Sequence, residues 1–132
     1  MQEKTNMNMK KVLARTLAIF LLTLFFSLNV FAKNGASLDV VELTSLPREG
    51  QSTLNLIKLG GPFPYEKDGA VFGNYENKLP KQKRGYYHEY TVKTPRARNR
   101  GARRIIAGGQ PTTSGEYYYT DNHYESFKKI RQ

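Results

Sequence analysis

Between Gly85 and Ile106 the chain reads Gly-Tyr-Tyr-His-Glu-Tyr-Thr-Val-Lys-Thr-Pro-Arg-Ala-Arg-Asn-Arg-Gly-Ala-Arg-Arg-Ile-Ile, a stretch that few folds can accommodate. Tyr86 to Lys93 is dense in aromatic and β-branched residues, which suit a pleated, half-buried surface. Thr94-Pro95 ends that run, because proline has no N–H to give a ladder. Gly101 then permits a tight return into a second strand, Arg103 to Ala107. Side-chain alternation puts Tyr87, Glu89 and Thr91 on one face of the first strand, with His88, Tyr90 and Val92 on the other. Glu89 and His88 therefore point apart, and a histidine that works with Glu89 has to come from elsewhere in the chain. The other histidine is His123. On the second strand Arg104 and Ile106 share a face, opposite Arg103 and Ile105. Whether Arg104 meets Glu89 depends on the strand register, which the sequence leaves open.

The start of the chain has a different character. Lys10, Lys11 and Arg15 precede an apolar run from Leu17 to Phe31 that ends at Val30-Phe31-Ala32. A positive start, an apolar middle and small residues before a cut are the marks of a secretory signal peptide. The alternative is an uncleaved membrane anchor. Cleavage after Ala32 is favoured, since the run falls short of the ~20 apolar residues of a spanning helix and is broken by Thr23, Ser27 and Asn29. Residues 1–32 are thus read as signal peptide and 33–132 as one compact domain.

Of the 21 Lys and Arg and 11 Asp and Glu, four bases and one acid precede Lys33, which leaves 17 against 10, a net charge of +7. The basic residues are clustered: five arginines lie between Arg96 and Arg104, and Lys78, Lys81, Lys83 and Arg84 form a second group. Such a balance favours a polyanion such as nucleic acid, an anionic surface or an acidic partner. The absence of cysteine excludes a disulfide framework and thiolate metal sites.

Within the domain, Val40 to Leu43 reads as a short edge strand. Pro47 suits a first helical turn and Gly60-Gly61 a stop, with Leu46, Leu54 and Ile57 forming the apolar face between them. Gly50, at about 1 kcal/mol relative to Ala, is expected to loosen the first turn. Gly61 to Pro80 reads as an ordered loop region, since Phe63, Tyr65 and Phe72 argue against disorder. Strands then follow at Tyr86–Lys93, Arg103–Ala107, Glu116–Thr120 and Phe127–Ile130. One helix followed by consecutive strands predicts an α+β fold, with an N-terminal helix packed on an antiparallel β-sheet.

The run Tyr86 to Val92, followed by Arg100-Gly101-Ala102-Arg103-Arg104-Ile105-Ile106, closely resembles the secreted microbial guanyl-specific ribonucleases, nearest the bacterial branch that includes ribonuclease Sa. The resemblance extends through Leu54-Asn55-Leu56-Ile57, Gly61 to Tyr65, Gly69 to Phe72 and Asp121-Asn122-His123-Tyr124, and covers nearly all of Leu46 to Gln132. It implies the microbial ribonuclease fold. It also implies cleavage of single-stranded RNA after guanosine, first to a 2′,3′-cyclic phosphate and then to a 3′-phosphate. No cofactor is implied, and the sequence offers no evident metal-ligand cluster. Members of this branch commonly tie their chain ends with a disulfide, which a chain without cysteine lacks.

RNA carries its own nucleophile, the 2′-hydroxyl, so cleavage requires a base, an acid for the departing oxygen and cations for the phosphorane. Residues alone leave Glu89 either a structural partner of arginine or the base, and the resemblance selects the base. His123, on a loop, is the candidate acid, since imidazole is the side chain suited to proton transfer near neutral pH. His88 is expected to pack or hydrogen-bond structurally. Arg104 and Arg100 are the candidate phosphate clamps, because a guanidinium fork matches phosphate oxygens. Arg96, Arg98 and Arg103 are expected to form a solvated surface that attracts the RNA backbone.

By resemblance, Phe72-Gly73-Asn74-Tyr75-Glu76 is the guanine-reading loop. The Glu76 carboxylate would accept guanine N1–H and the N2 amino group together, backbone N–H groups of Asn74 to Glu76 would serve O6, and an aromatic ring would stack on the base. Tyr117, Tyr118 and Tyr119 read either as a stacking platform or, more simply, as sheet and core, whereas Tyr124 matches a substrate-contacting position.

The expected partners are single-stranded RNA and a small acidic inhibitor protein. The chain is expected to act as a monomer, secreted to the periplasm or beyond, with no stable membrane association once the leader is gone. A non-catalytic RNA or polyanion binder on the same fold, and the same nuclease deployed as an antibacterial toxin, are the competing readings. N-terminal sequencing of exported protein is expected to begin at Lys33; a start at Met1 on membrane-bound material would identify an anchor instead.

Overall fold

The computed structural model describes residues 2–26 and 37–132. The chain divides into two compact units, Met1–Ser37 and Leu38–Gln132. In the first, α1 (Gln2–Phe26) is a continuous helix of 25 residues. Among the described residues no helix is long and apolar enough to cross a membrane. The expected cleavage junction, Val30-Phe31-Ala32, lies outside the described residues.

The second unit is the α+β domain. Its strands are β1 (Asp39–Glu42), β2 (Ala70–Phe72), β3 (Tyr87–Thr91), β4 (Arg104–Gly108), β5 (Tyr117–Thr120) and β6 (Lys128–Arg131), arranged β1-β6-β5-β4-β3-β2 in one sheet. The expected antiparallel sheet holds for β2 to β6, but β1 joins the edge parallel to β6, with Val41 beside Ile130. These two strands come from opposite ends of the unit, so no hairpin dictates their relative direction. The three-residue β2 was not anticipated, because it lies in a Pro- and Gly-rich segment that reads as loop.

The helix of this unit, α2, spans Arg48–Leu59, with Pro47 just before it and Gly60 closing it at φ 80°. The Gly60 and Gly61 amides bond back to the carbonyls of Ile57 (3.1 Å) and Leu56 (2.9 Å), satisfying the last turn. Glu49 and Lys58 stand at the ends where the helix dipole favours their charges. Gly50 does not disrupt the first turn: it is buried, and Gln51 N–H bonds to Pro47 O at 3.1 Å. Packing here outweighs the intrinsic cost of glycine.

Each face of the sheet buries its own cluster. On the α2 side Leu46, Leu54 and Ile57 meet Tyr90, Val92, Ile105 and Ala107. On the other side Tyr87, Ile106 and Tyr118 pack with Leu79 and Phe127. Tyr117, Tyr118 and Tyr119 are all buried, so they are sheet and core and not an RNA-stacking platform. His88 is on the α2 side, as alternation predicts, and its Nδ1 is buried without a hydrogen-bond partner. Asp68 braces the end of β3, accepting Thr91 N–H at 2.7 Å and Tyr65 N–H at 3.2 Å.

Several tyrosines in this unit hold their protons more tightly folded than unfolded. Burial raises Tyr87 to about 12, helped by the nearby Glu116 charge. Burial also raises Tyr118, whose hydroxyl donates to Glu116 at 2.7 Å. Their contribution to stability is complete below the unfolded phenol value of about 10 and is lost as pH rises through the folded values. The urea midpoint is therefore expected to fall steeply between about pH 10 and 12, and Tyr118→Phe to flatten that fall. A midpoint that stays level through this range would contradict the assignment.

Candidate active site

Strand register answers the question the sequence left open. Thr91 pairs with Arg104 and Glu89 with Ile106, while Arg104 pairs in turn with Thr120 of β5. Directly paired residues share a face, so Glu89, Thr91, Arg104 and Thr120 form one polar field on the side away from α2. Arg103, next in the chain, points to the α2 side, where its charge acts on Tyr119. The expected role of Arg103 in a surface shared with Arg96 and Arg98 is thus not supported by its placement. Arg96 and Arg98 are exposed on the turn.

Arg104 does not touch Glu89 directly; Tyr124 joins them. Arg104 Nε donates to the Tyr124 hydroxyl oxygen at 3.2 Å, and that hydroxyl donates to Glu89 Oε2. Only 3% of Arg104 is exposed, and its Nη1 also donates to the carbonyls of Gly101 (2.8 Å) and Arg103 (2.7 Å). A guanidinium this buried needs such partners to offset its desolvation. Its Cζ lies 5.8 Å from the centre of the Tyr124 ring. Burial, and then the hydrogen bond to Glu89, raise the Tyr124 phenol above its ordinary value, so it stays a donor to the carboxylate.

Arg100 approaches the other carboxylate oxygen. Its Nη2 is 3.4 Å from Glu89 Oε1, and its Nε and Nη2 donate to Thr91 Oγ1 at 3.1 and 2.8 Å. Glu89 is thus flanked by one guanidinium directly and a second through a phenol, with its side chain 13% exposed.

His123 sits on the loop between β5 and β6, exposed as expected of a loop histidine. Both His123 (φ 55°) and Tyr124 (φ 68°) are left-handed, an uncommon state for such residues that persists only where the surroundings enforce it. Here the enforcement is a local network. Tyr124 N–H donates to Thr120 Oγ1 (3.2 Å), the Thr120 hydroxyl to Asn122 Oδ1 (3.0 Å), and Asn122 Nδ2 to Ser126 Oγ (2.7 Å). His123 N–H also donates to Ala102 O at 3.2 Å, tying this loop to the arginine-rich turn. The imidazole lies 4.8 Å from the Tyr124 ring and borders an open hollow with Asn99, Arg100, Gly101 and Ala102. That hollow runs from His123 to Arg100, and Arg100 leads to Glu89.

Beside this cluster is a cleft of about 180 Å³ lined by Phe72, Asn74, Tyr75, Glu76, Lys78, Tyr124 and Phe127. It is smaller than pockets for drug-sized ligands and fits a single flat ring system. Asn74, at φ 49°, shapes the loop: its amide donates to Leu79 O (2.9 Å) and accepts from Leu79 N–H (3.0 Å). Gly73 lets the Tyr75 ring lie close over the backbone, since a Cβ there would be 2.4 Å from that exposed ring and would push it aside. Phe72 stacks on Tyr124 with ring centres 5.3 Å apart and 21° between planes. Among the described residues the backbone N–H groups of Tyr75 and Glu76 have no partner, and the Glu76 side chain is exposed. All nine residues singled out from the sequence thus fall into two adjoining groups, with Tyr124 common to both.

Thr91, Lys78 and Phe127 belong to the site but were not singled out. Thr91 was legible in principle, since alternation puts it on the face of Glu89. Phe127 carries no signal beyond its apolarity. Among the described residues no group of three or more His, Cys, Asp or Glu is placed to hold a metal ion.

The ribonuclease family model matches residues 32–131, and the chain belongs to that family. Within it, the chain groups with the microbial guanyl-specific enzymes near ribonuclease Sa. It is 57% identical over 90 residues to guanyl-specific ribonuclease Sa of Kitasatospora aureofaciens, covering 68% of this chain and 91% of that protein. It is 53% identical over 90 residues to guanyl-specific ribonuclease St of Saccharopolyspora erythraea, covering 68% of this chain and 85% of the relative. A crystal structure of ribonuclease Sa2 with guanosine-2′-cyclophosphate superposes with a TM-score of 0.66 at 46% identity, over 72% of this chain and 97% of the other.

Proposed function

We propose that the protein is a secreted, metal-independent endoribonuclease that cleaves single-stranded RNA after guanosine. The observation that carries this reading is the joining of Glu89, Arg100, Arg104 and Tyr124 into one hydrogen-bonded cluster between an exposed histidine and a cleft sized for a base. The names of the relatives, guanyl-specific ribonucleases, and the guanosine cyclophosphate bound in the Sa2 structure support it.

In the first step Glu89 takes the proton of the ribose 2′-hydroxyl. Tyr124 donates to Oε2 and Arg100 is 3.4 Å from Oε1, so Oε1 is the oxygen less firmly engaged. The 2′-oxygen attacks phosphorus, the bond from phosphorus to the 5′-oxygen breaks, and His123 protonates that oxygen. Arg100 and Arg104 stabilise the charge gathering on the phosphorane, with Arg104 held ready by two backbone carbonyls. In the second step the roles reverse: His123 takes a proton from water, which attacks the cyclic phosphate, and Glu89 returns a proton to the 2′-oxygen. The product is a 3′-phosphate.

Specificity follows from Glu76. Its carboxylate accepts guanine N1–H and N2–H, while the free amides of Tyr75 and Glu76 serve O6. Adenine presents an acceptor at N1 and would leave the carboxylate unmatched. Residues 1–32 act as the export leader, leaving the enzyme as 33–132; the secretory leader pattern of the sequence supports this.

Glu89→Gln preserves shape and removes the base, so turnover on a guanylyl dinucleotide is expected to fall about 10²- to 10⁴-fold with binding largely retained. His123→Ala is expected to act similarly, whereas His88→Ala, partly buried on the far face, should lower stability and leave turnover near the parent value. Steady-state kinetics and urea denaturation of the three variants check this, and parental turnover in Glu89→Gln would refute the assignment of the base.

A further inference from the structure

Lys78 was grouped in the sequence with Lys81, Lys83 and Arg84 as part of a basic cluster, yet its setting differs from theirs. Those three side chains are exposed. Lys78 lines the cleft, is 34% exposed and makes two polar contacts: Nζ is 3.0 Å from Glu76 Oε2, and it donates to the backbone carbonyl of Glu125 at 2.6 Å. Its partners belong to different loops. Glu76 is on the loop between β2 and β3, and Glu125 follows His123 and Tyr124 on the loop between β5 and β6.

We propose that Lys78 is a specificity-determining positioning residue, which orders the Glu76 carboxylate and fastens the base-reading loop to the loop that carries His123 and Tyr124. The inference rests on the guanine-reading role given above to Glu76 and names what makes that carboxylate effective. The floor of the cleft is already fixed. Phe72, Tyr124 and Phe127 pack on one another, and Asn74 is tied to Leu79. Glu76 is not: its side chain is 75% exposed, and among the described residues Lys78 is its only polar partner.

An ion pair this exposed ordinarily contributes little, because both side chains remain mobile. Here the bond to Glu125 O pins the ammonium first, and a pinned cation can hold a carboxylate in one orientation. Holding it does not block it. Lysine contacts Oε2 only, and a carboxylate has about four acceptor positions, so Oε1 and the remaining position on Oε2 stay open to the two guanine donors. The ordering cost of Glu76 is then met before the base arrives, which is the advantage of preorganisation. Because the same ammonium grips the neighbouring loop, guanine bound at Glu76 is held at a fixed offset from Tyr124 and the catalytic cluster.

The test is steady-state kinetics on GpU and ApU at one ionic strength, with Lys78→Met, Lys78→Arg, Glu76→Ala and the double variant Glu76→Ala/Lys78→Met. Lys78→Met removes the charge and keeps the stem, and thermal unfolding confirms that each variant is folded. Lys78→Met is expected to lower kcat/KM on GpU about tenfold, the size of losing one charge-assisted contact. Most of that loss should appear in KM, with little change on ApU, so the preference for guanine falls by about the same factor. Lys78→Arg should recover most of it. In the Glu76→Ala background the Lys78→Met effect should shrink to about twofold or less, since the two residues act as one unit.

Equal losses on GpU and ApU would overturn the inference, because Lys78 would then serve only to attract phosphate. Tighter GpU binding in Lys78→Met would overturn it too, by making Lys78 a competitor for the carboxylate. A parent enzyme that prefers GpU, loses that preference in Glu76→Ala and keeps it in Lys78→Met would sink the inference alone. A parent with no preference for GpU would refute the reading of the cleft and this inference with it.

Discussion

The site depends on the pairing of β3 with β4 in a register that cannot slip. A shift of β3 by one residue would turn Tyr90, packed against α2, to the opposite face and bring Glu89 into the apolar core. Burial on the α2 side thus fixes where the polar residues stand on the other. Once Thr91 is opposite Arg104, Glu89 falls on the same face as Arg104, and the Tyr124 phenol joins the two. The geometry of this polar cluster is in this sense a by-product of hydrophobic packing on the far side of the sheet.

What occupies that polar face is a balance of charge rather than a collection of pairs. Glu89 answers two guanidiniums, and those guanidiniums are also held by Thr91 and by the carbonyls of Gly101 and Arg103. Because other acceptors share the work of holding them, Arg100 and Arg104 retain charge that Glu89 alone does not neutralise. Such surplus positive charge in a sheltered place favours an incoming phosphate. The left-handed backbone at His123 and Tyr124 belongs to the same arrangement: Thr120 and Asn122 hold that loop in an uncommon conformation that puts imidazole on one side of the phenol ring and the carboxylate at its tip.

Much of this was legible in the sequence, for identifiable reasons. Alternation along Tyr87 to Thr91 separated Glu89 from His88 without any structure, since side chains on a strand have only two directions to take. Pro47 and Gly60 bounded α2 because both have strong backbone preferences. The resemblance to guanyl-specific ribonucleases, carried by long matching runs, supplied Glu76, His123 and Tyr124, which no local rule would have singled out. Contacts between distant segments were not legible. The Tyr124 bridge from Arg104 to Glu89 and the Lys78 link from Glu76 to Glu125 each join residues far apart in the chain. Short β2 and the parallel placement of β1 escaped for a related reason: both are fixed by their neighbours in the sheet and not by their own composition. Arg103 shows the limit of reading charge by cluster, since its neighbour Arg104 faces the site while Arg103 faces away from it.

The central claim is that this cluster cleaves RNA through its own 2′-hydroxyl, next to a base that the cleft has recognised. The most direct measurement is mass spectrometry of the ends formed over time from one defined single-stranded RNA in the presence of a metal chelator. The account predicts breaks after guanosine alone, with 2′,3′-cyclic phosphate ends that accumulate first and convert later to 3′-phosphates. Fragments bearing 5′-phosphates, breaks spread over all four nucleotides, or activity lost to the chelator would contradict it.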